Sequence, residues 1–522
     1  MIDSDILTAH GLLHQACTKY ASRSLATVGG ETMTYGEAWN RGGKLARVLS
    51  ERGLEKGDFV GIMMSNRLDY FTANFACVRG GFVNVPMNDM LTRDEFSYML
   101  ADSGARGVVV GPDFTDTIEE LRSDLPDLET VIAVDESPPD GQLPLDTALN
   151  EAGDVALNVS IDPGDLLRLS YTGGTTGRPK GARHTHRLIA MDMLAHVIAF
   201  EIRDGESMLI STPLPHAAGY IHLGALTQGA HLTVTPGFDP GEFLALLDDE
   251  PITWTFLVPT MIYRMLDHDA VADANVSTLD TLVYGAAPIS EERLTEAIAA
   301  FGDVFIQAYG QTEMPNVGMV LPKVDHEPGA DCVQSCGRPA TMVDAEIAEV
   351  EHGRIESILD RGGVGELIMR SPYVMDGYHD KPEQTAETLV DGWLLTGDIA
   401  RMDEEGYVYL LDRANDVIVS GGMNVYTTEV EDALERHPDL NLVAVIGVPH
   451  DDWGEAVHAV VETESDNIDS SDILAFADTH LANYKKPKSV EFRDKIPTTP
   501  YGKVDKKVLR EPHWENVDRN IH

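Results

Sequence analysis

Apolar and polar positions follow two rhythms along this chain. Solid apolar runs, Phe59-Val60-Gly61-Ile62-Met63 and Gly107-Val108-Val109-Val110, alternate with stretches of helical spacing up to about residue 165. Such runs are what strands buried on both faces of a parallel sheet require, so they predict βα units. The rhythm repeats to about 340, with Leu166–Tyr171 reading as a strand and about Thr185 to Glu201 as a helix. From about 341 to 411 the runs shorten and turn residues crowd in, as in Gly365–Met369 and Gly406–Leu410, which predicts a small β-barrel. After Asp412-Arg413-Ala414-Asn415-Asp416 the pattern predicts a compact α+β segment. Its parts are strand Val417–Val419, a helix from Thr428 with Glu431 completing a capping box, and strand Leu442–Ile446. The boundaries read from this are a domain 1–411, a hinge 412–416 and a domain 417–522.

Composition narrows the function classes. A chain of 522 residues needs more than one core. With 86 acidic against 39 basic side chains the net charge is −47, spread over the whole length. A surface this acidic repels a polyphosphate backbone, so no nucleic-acid partner is expected. It also suits solvation in a very salty cytoplasm, and a halophilic origin is expected. Seven of the thirteen lysines fall between Lys485 and Lys507, as if cations were kept where an anion must be met. There is no membrane span, and Met1-Ile2-Asp3-Ser4-Asp5 lacks a basic flank and an apolar signal core, so a cytoplasmic protein is expected. Four scattered cysteines make neither a disulfide framework nor a metal site.

Two segments carry candidate chemistry. Thr172-Gly173-Gly174-Thr175-Thr176-Gly177-Arg178-Pro179-Lys180-Gly181 collects glycines, hydroxyls and a lysine between a strand and a helix. Its backbone N–H groups, hydroxyls and ammonium suit an anion, although it lacks the Gly-Lys-Ser/Thr of a Walker A loop. Tyr309-Gly310-Gln311-Thr312-Glu313 follows the apolar run Val304-Phe305-Ile306, which puts it at the C-terminal end of a strand, where open α/β sheets bind ligands. There an aromatic face suits a base and a carboxylate suits magnesium.

Together with Thr34–Glu37, Leu257–Thr260, Tyr284–Pro288, Thr396-Gly397-Asp398, Asp412-Arg413, Ser420–Val425 and Pro500-Tyr501-Gly502-Lys503, these segments resemble the adenylate-forming superfamily in order and spacing. That superfamily holds acyl-CoA synthetases, peptide adenylation domains and luciferases, and the resemblance spans essentially the whole chain. It implies an α/β fold: a large N-terminal domain of two αβ subdomains plus a small β-barrel, then a small mobile α+β C-terminal domain.

The implied reaction joins a carboxylic acid to the α-phosphate of ATP, then passes the acyl group to CoA. The resemblance implies Lys503 as catalytic lysine, and Thr172 to Gly177 with Lys180 as grip on the β- and γ-phosphates. Mg2+ falls to Glu313 and Thr176, and adenine to Gly285, Ala286, Ala287 and Tyr309, with Gly310 and Thr312 as further nucleotide-binding residues. The ribose falls to Asp398 and Arg413, a gate beside the carboxylate to His216, and the CoA thiol tunnel to Ser420, Gly421 and Gly422, with Lys485 or Lys486 toward CoA phosphates. Asn415 stands where the family hinge usually has Asp or Lys.

No aspartate replaces His216, which argues against an amino acid. Tyr220, Tyr284, Gly285, Gln311 and Gly318, as pocket-wall candidates, suit an alkyl or aryl acid. The phrase Val419–Tyr426 resembles medium- and long-chain ligases, so a fatty acid is expected. An aryl-acid CoA ligase and a stand-alone enzyme loading a carrier protein are the alternatives. A homodimer is left open.

Overall fold

The computed structural model describes residues 7–153, 157, 159–172, 178–450, 453–463, 465, 468–498 and 504–514. The chain divides into two compact units. One comprises Met1–Thr172, Pro179–Asp344 and Met369–Leu394; the other comprises Gly173–Arg178, Ala345–Ile368 and Leu395–His522.

The first unit contains two sheets. One has seven strands, in the order Leu143–Pro144, Thr130–Ala133, Gly107–Val110, Phe59–Met63, Val83–Met87, Leu166–Tyr171 and Gly181–Thr185. Phe59–Met63 lies parallel to both neighbours and is almost wholly buried, as its apolar run requires. The other has nine strands, with Thr281–Gly285, Trp254–Leu257, Ser207–Ile210 and His231–Val234 at its parallel centre. Thr34 and Glu37 form a complete capping box and start the helix Tyr35–Glu51. The expected helix near 185–201 is His186–Ala199, with Thr185 Oγ1 accepting from Leu188 N. It stops there because Phe200 is buried and its carbonyl accepts from the indole N–H of Trp254, itself fully buried in a sheet strand. Burying each of these two rings stabilises the unit by roughly 1.5–3 kcal/mol.

The strands expected of a small barrel, most of whose residues fall in the second unit, are Asp344–Glu351, Arg354–Ile358, Val364–Arg370, Trp393–Met402 and Val408–Arg413. Their described pairings follow a linear path with Arg354–Ile358 at one end and Val408–Arg413 at the other. Further on, Met423–Val425, Ile418–Ser420, Gly454–Glu462 and Leu442–His450 make an antiparallel sheet, and Ser489–Phe492 adds in parallel to Gly454–Glu462. The strand expected over Val417–Val419 begins one residue later, because Val417 N is turned back to Arg413 O.

The expected capping box at Thr428 is not formed. The helix is Thr427–Leu434 with no side-chain cap. Thr428 Oγ1 donates to Leu411 O, and Glu431 accepts from Val445 N at 2.6 Å and from Lys506 Nζ at 2.8 Å. A buried ammonium and an otherwise orphaned strand N–H outcompete a reach back to the helix start.

Candidate functional site

In the first unit the anion-loop motif is closed at its neck by two reciprocal bonds. Thr172 N donates to Lys180 O at 3.0 Å, and Lys180 N donates to Thr172 Oγ1 at 3.2 Å. Gly173, Gly174, Thr175, Thr176 and Gly177 lie outside the described residues. Just past the neck, the Lys180 ammonium stands 4.4 Å over the ring of Tyr378. The Tyr378 hydroxyl donates to Glu313 Oε1 at 2.5 Å. Burial, followed by the Glu313 charge and hydrogen bond, pushes this phenol far above its usual range, so it stays a neutral donor. Tyr378 is delivered by backbone bonds to the strand Gly181–Thr185: Arg183 N to Gly377 O at 2.9 Å and His379 N to Gly181 O at 2.8 Å.

Behind Glu313 runs a polar chain whose hydrogens are fixed by its ends. Arg168 Nε can only donate, and it meets Ser170 Oγ at 2.9 Å. His184 Nε2 faces the Thr312 carbonyl at 3.0 Å and must donate. Burial and the Arg168 charge push His184 down to about 3, so the ring is neutral and its Nδ1 accepts. The order is therefore Arg168 to Ser170, Ser170 to Tyr220 at 2.6 Å, Tyr220 to His184 Nδ1 at 2.9 Å, and His184 to Thr312. The chain pins the residue before Glu313.

A second set of bonds ties the following strand to Ala217, the neighbour of His216. Gly310 lies so close to Asn316 that a Cβ would fall 2.6 Å from its backbone, and Asn316 holds φ at +57°. The Asn316 amide donates to Ala217 O at 3.1 Å and to His196 Nε2 at 3.0 Å. His196 Nδ1 in turn donates to Asp192 O at 2.7 Å. His216 itself is exposed, which excludes a satisfied core histidine. Tyr220, one of the expected pocket-wall residues, is instead a buried link in the relay.

Buried polar atoms without hydrogen-bond partners among the described residues include Arg168 Nη1, both Asp192 carboxyl oxygens and, on the helix Ala218–Thr227, His222 Nε2. Burial raises Asp192 well above the carboxylate range, with Arg168 opposing. Burial also holds His222 at about 4.

At the expected adenine segment, Gly285 ends a fully buried strand, where a Cβ would clash with Ala308 O at 2.2 Å. Ala286 follows at φ +68° and is exposed; a left-handed alanine costs about 1–2 kcal/mol. Ala287 is half-buried. Tyr309 is half-buried in the next strand, with its hydroxyl accepting from Gln311 Nε2 at 3.4 Å.

In the second unit Asp398 is 5% exposed and meets Arg413 Nε at 2.7 Å across the register pair of the two strands. Gly421 at φ +58° and Gly422 at φ +79° form the two-residue turn between Ile418–Ser420 and Met423–Val425. Two left-handed central residues are what a type I′ hairpin demands, so the hairpin alone accounts for both glycines. Ser420 is buried. Much of the lysine cluster meets protein carboxylates: Lys485 meets Glu429 at 2.5 Å, Lys486 meets Asp478 at 2.9 Å and Lys506 meets Glu431 at 2.8 Å. Lys503 lies outside the described residues.

The AMP-binding enzyme profile matches residues 13–379, and the AMP-binding enzyme C-terminal domain matches 429–503. The chain belongs to the AMP-binding enzyme family. A feruloyl-CoA synthase from Amycolatopsis is 37% identical over 92% of this chain and 94% of its own. The medium/long-chain-fatty-acid–CoA ligase FadD8 of Mycobacterium tuberculosis is 32% identical over 98% and 91%. The ATP-bound structure of MatB from Rhodopseudomonas palustris superposes with a TM-score of 0.86 at 30% identity, covering 98% of this chain and 99% of that one.

As an AMP-binding enzyme of the acyl-CoA ligase kind, the protein is an AMP-forming acid–thiol ligase using ATP and CoA. Among the described residues, no helix is long and apolar enough to cross a membrane. The motifs reveal neither Tyr378 nor the relay through Arg168, Ser170 and His184. In sequence these are ordinary strand and loop residues, and only the arginine and histidine inside apolar strands, Leu167-Arg168-Leu169 and Ala182-Arg183-His184, hint at buried partners.

Proposed function

We propose that the enzyme activates a fatty acid as its acyl-adenylate and transfers it to CoA. The observation that supports this most is the column of Lys180, Tyr378 and Glu313 beside the closed neck of the Thr172–Gly181 loop. It brings a cation and a carboxylate to either side of one phenol ring beside that neck. In this reading the loop residues and Lys180 hold the pyrophosphate end of ATP. One hydrogen bond from Tyr378 leaves Glu313 capacity for a magnesium ion shared with Thr176, since a carboxylate offers about four lone-pair sites. Bound there, magnesium would neutralise phosphate charge. The strained Ala286 beside Gly285 supports a ligand-facing turn for adenine, with Tyr309 stacking. Asp398, oriented by Arg413, takes the ribose hydroxyls, His216 flanks the carboxylate, and Lys503 is the catalytic lysine. The domain 417–522 with its hinge at 412–416 is read as the part that moves between the half-reactions.

A second acid class is favoured by one observation. The unpartnered Arg168, Asp192 and His222 atoms would suit an aryl acid with a polar substituent better than a bare alkyl chain. The 37% identity to a feruloyl-CoA synthase points the same way. Mass-spectrometric assay of acyl-CoA and AMP from acetate, decanoate, palmitate, benzoate and ferulate decides between them. Fatty acyl-CoA as the best product is expected. Turnover of ferulate alone would move the assignment to aryl acids, and thioester formed only on a phosphopantetheinyl carrier protein would overturn CoA as acceptor. The four unbridged cysteines fit a reducing cytosol. The charge of −47 fits salt adaptation, and full activity in dilute buffer without KCl would refute that part.

A further inference from the structure

Three elements of the second unit converge on a cluster that the ligase reading does not use. His458 on the strand Gly454–Glu462, Glu491 on the strand Ser489–Phe492 and His513 on the terminal helix Lys506–Trp514 each present a ligand atom, all within 4.8 Å of one another. His458 is 6% exposed, and its Nε2 is shielded from solvent with no hydrogen-bond partner among the described residues. Its Nδ1 is held by Ser489 Oγ at 2.6 Å, which fixes the ring plane. Nε2 faces Glu491 Oε2 at 3.6 Å, too long for a hydrogen bond. The other Glu491 oxygen accepts from Arg493 Nε at 2.5 Å, which orients the carboxylate. The His513 ring centroid is 5.1 Å from that of His458.

In the tautomer whose Nδ1–H donates to Ser489 Oγ, Nε2 turns a lone pair toward the Glu491 carboxylate, and a metal ion at Nε2 selects that tautomer. We propose that His458, Glu491 and His513 bind zinc(II), with water as the fourth ligand.

Two imidazole nitrogens and one carboxylate oxygen are a zinc donor set, whereas magnesium prefers oxygen alone. Zinc bonds of about 2.0–2.2 Å in a tetrahedron set neighbouring ligand atoms about 3.3–3.6 Å apart, which matches the His458–Glu491 spacing. Ser489 and Arg493 are the outer partners that such ligands require. The site also has a structural consequence. In sequence Glu491 precedes and His513 follows the segment that carries Lys503, so one ion would link the two flanks of that segment.

The test is zinc titration by calorimetry, with cobalt(II) absorbance in parallel, on tag-free full-length enzyme stripped with chelator. One equivalent and the strong visible bands of four-coordinate cobalt are expected. His513→Gln and Glu491→Gln should each weaken zinc binding by at least about tenfold, the lower end of what even an outer partner contributes. The exposed His352→Gln should leave it unchanged. Absence of binding to the wild type, or binding that neither His513→Gln nor Glu491→Gln weakens, overturns the proposal.

Discussion

In the first unit His184, His196 and His222 lie fully buried, pushed by desolvation to about 3, 4 and 4, and they act as neutral donors and acceptors. In the second unit two of the shielded contacts are charged pairs. Lys506 meets Glu431 with each side chain 14% exposed, and Arg510 meets Asp416 at 2.6 Å with each 13% exposed. The contrast follows from what each network must hold. A relay that positions a backbone carbonyl needs fixed hydrogens, which neutral groups provide at any working pH. Ion pairs tie the end of the chain back to the 412–416 segment, where Arg510 also donates to Asn415 O at 2.8 Å, and they respond to pH and to loss of a partner. Asn415, expected to matter as a hinge residue, is thus gripped through its carbonyl, which any residue type offers.

The largest effect should come from removing the central cation of the charged network. Lys506→Met leaves Glu431 and Asp412 buried without their counter-ion, and breaking a buried pair costs about 3–5 kcal/mol. A shift of the urea midpoint at pH 7.5 measures it. Adding Glu431→Gln to the same chain should recover part of the loss, and equal losses in the single and double variants would break the comparison.

The pH response follows. Asp412 is 6% exposed and bonded by the Thr427 amide and hydroxyl, and burial raises it from 3.8 to about 6. The folded state then holds the proton more tightly than the unfolded one. Its contribution is complete below about pH 4, is lost as pH climbs through 6, and is flat above. The gap corresponds to about 3 kcal/mol at most. The stability difference between wild type and Asp412→Asn should slope only in that window, whatever the −47 charge does to both chains. A flat difference would show that Asp412 titrates like an exposed carboxyl.

Tyr220→Phe probes the neutral network. It leaves Ser170 and His184 each short of one partner, a loss of about 1–3 kcal/mol that should not vary between pH 6 and 8. Adenylation should fall with it through displacement of Thr312 and Glu313, read as a lower rate of ATP–pyrophosphate exchange.

The sequence made the strands and their order of burial plain wherever period and composition agree. Phe59–Met63, Gly107–Val110 and Leu166–Tyr171 appear with their expected ends. Local rules failed where a tertiary partner outbid a local one. Glu431 sits three residues after Thr428 as a capping box requires, yet Lys506, seventy-five residues on, takes it. The site motifs were legible because glycine, hydroxyl and carboxylate spacing reflects contact with a ligand. Their supports were not, because Tyr378 reaches Glu313 through a strand pairing that no local pattern encodes. In the lysine cluster too, three of the seven meet carboxylates that no local pattern encodes: Lys485 meets Glu429, Lys486 meets Asp478 and Lys506 meets Glu431.

Lys485 gives the smallest and most discriminating test. Its pair with Glu429 is 17% and 46% exposed, so Lys485→Ala should cost about 0.2–1 kcal/mol. In molar KCl, where charges are screened beyond about 3 Å, the part of that loss from charges around the pair should shrink, leaving direct contact. If the ion pair is all that Lys485 does, the KM for CoA is unchanged at every salt concentration. A several-fold rise in that KM at low salt, with stability unaltered, would instead show that the lysine leaves Glu429 for the phosphates of CoA. The charged network would then be a store of cations released during turnover, and the electrical difference between the units would belong to the reaction as well as to folding.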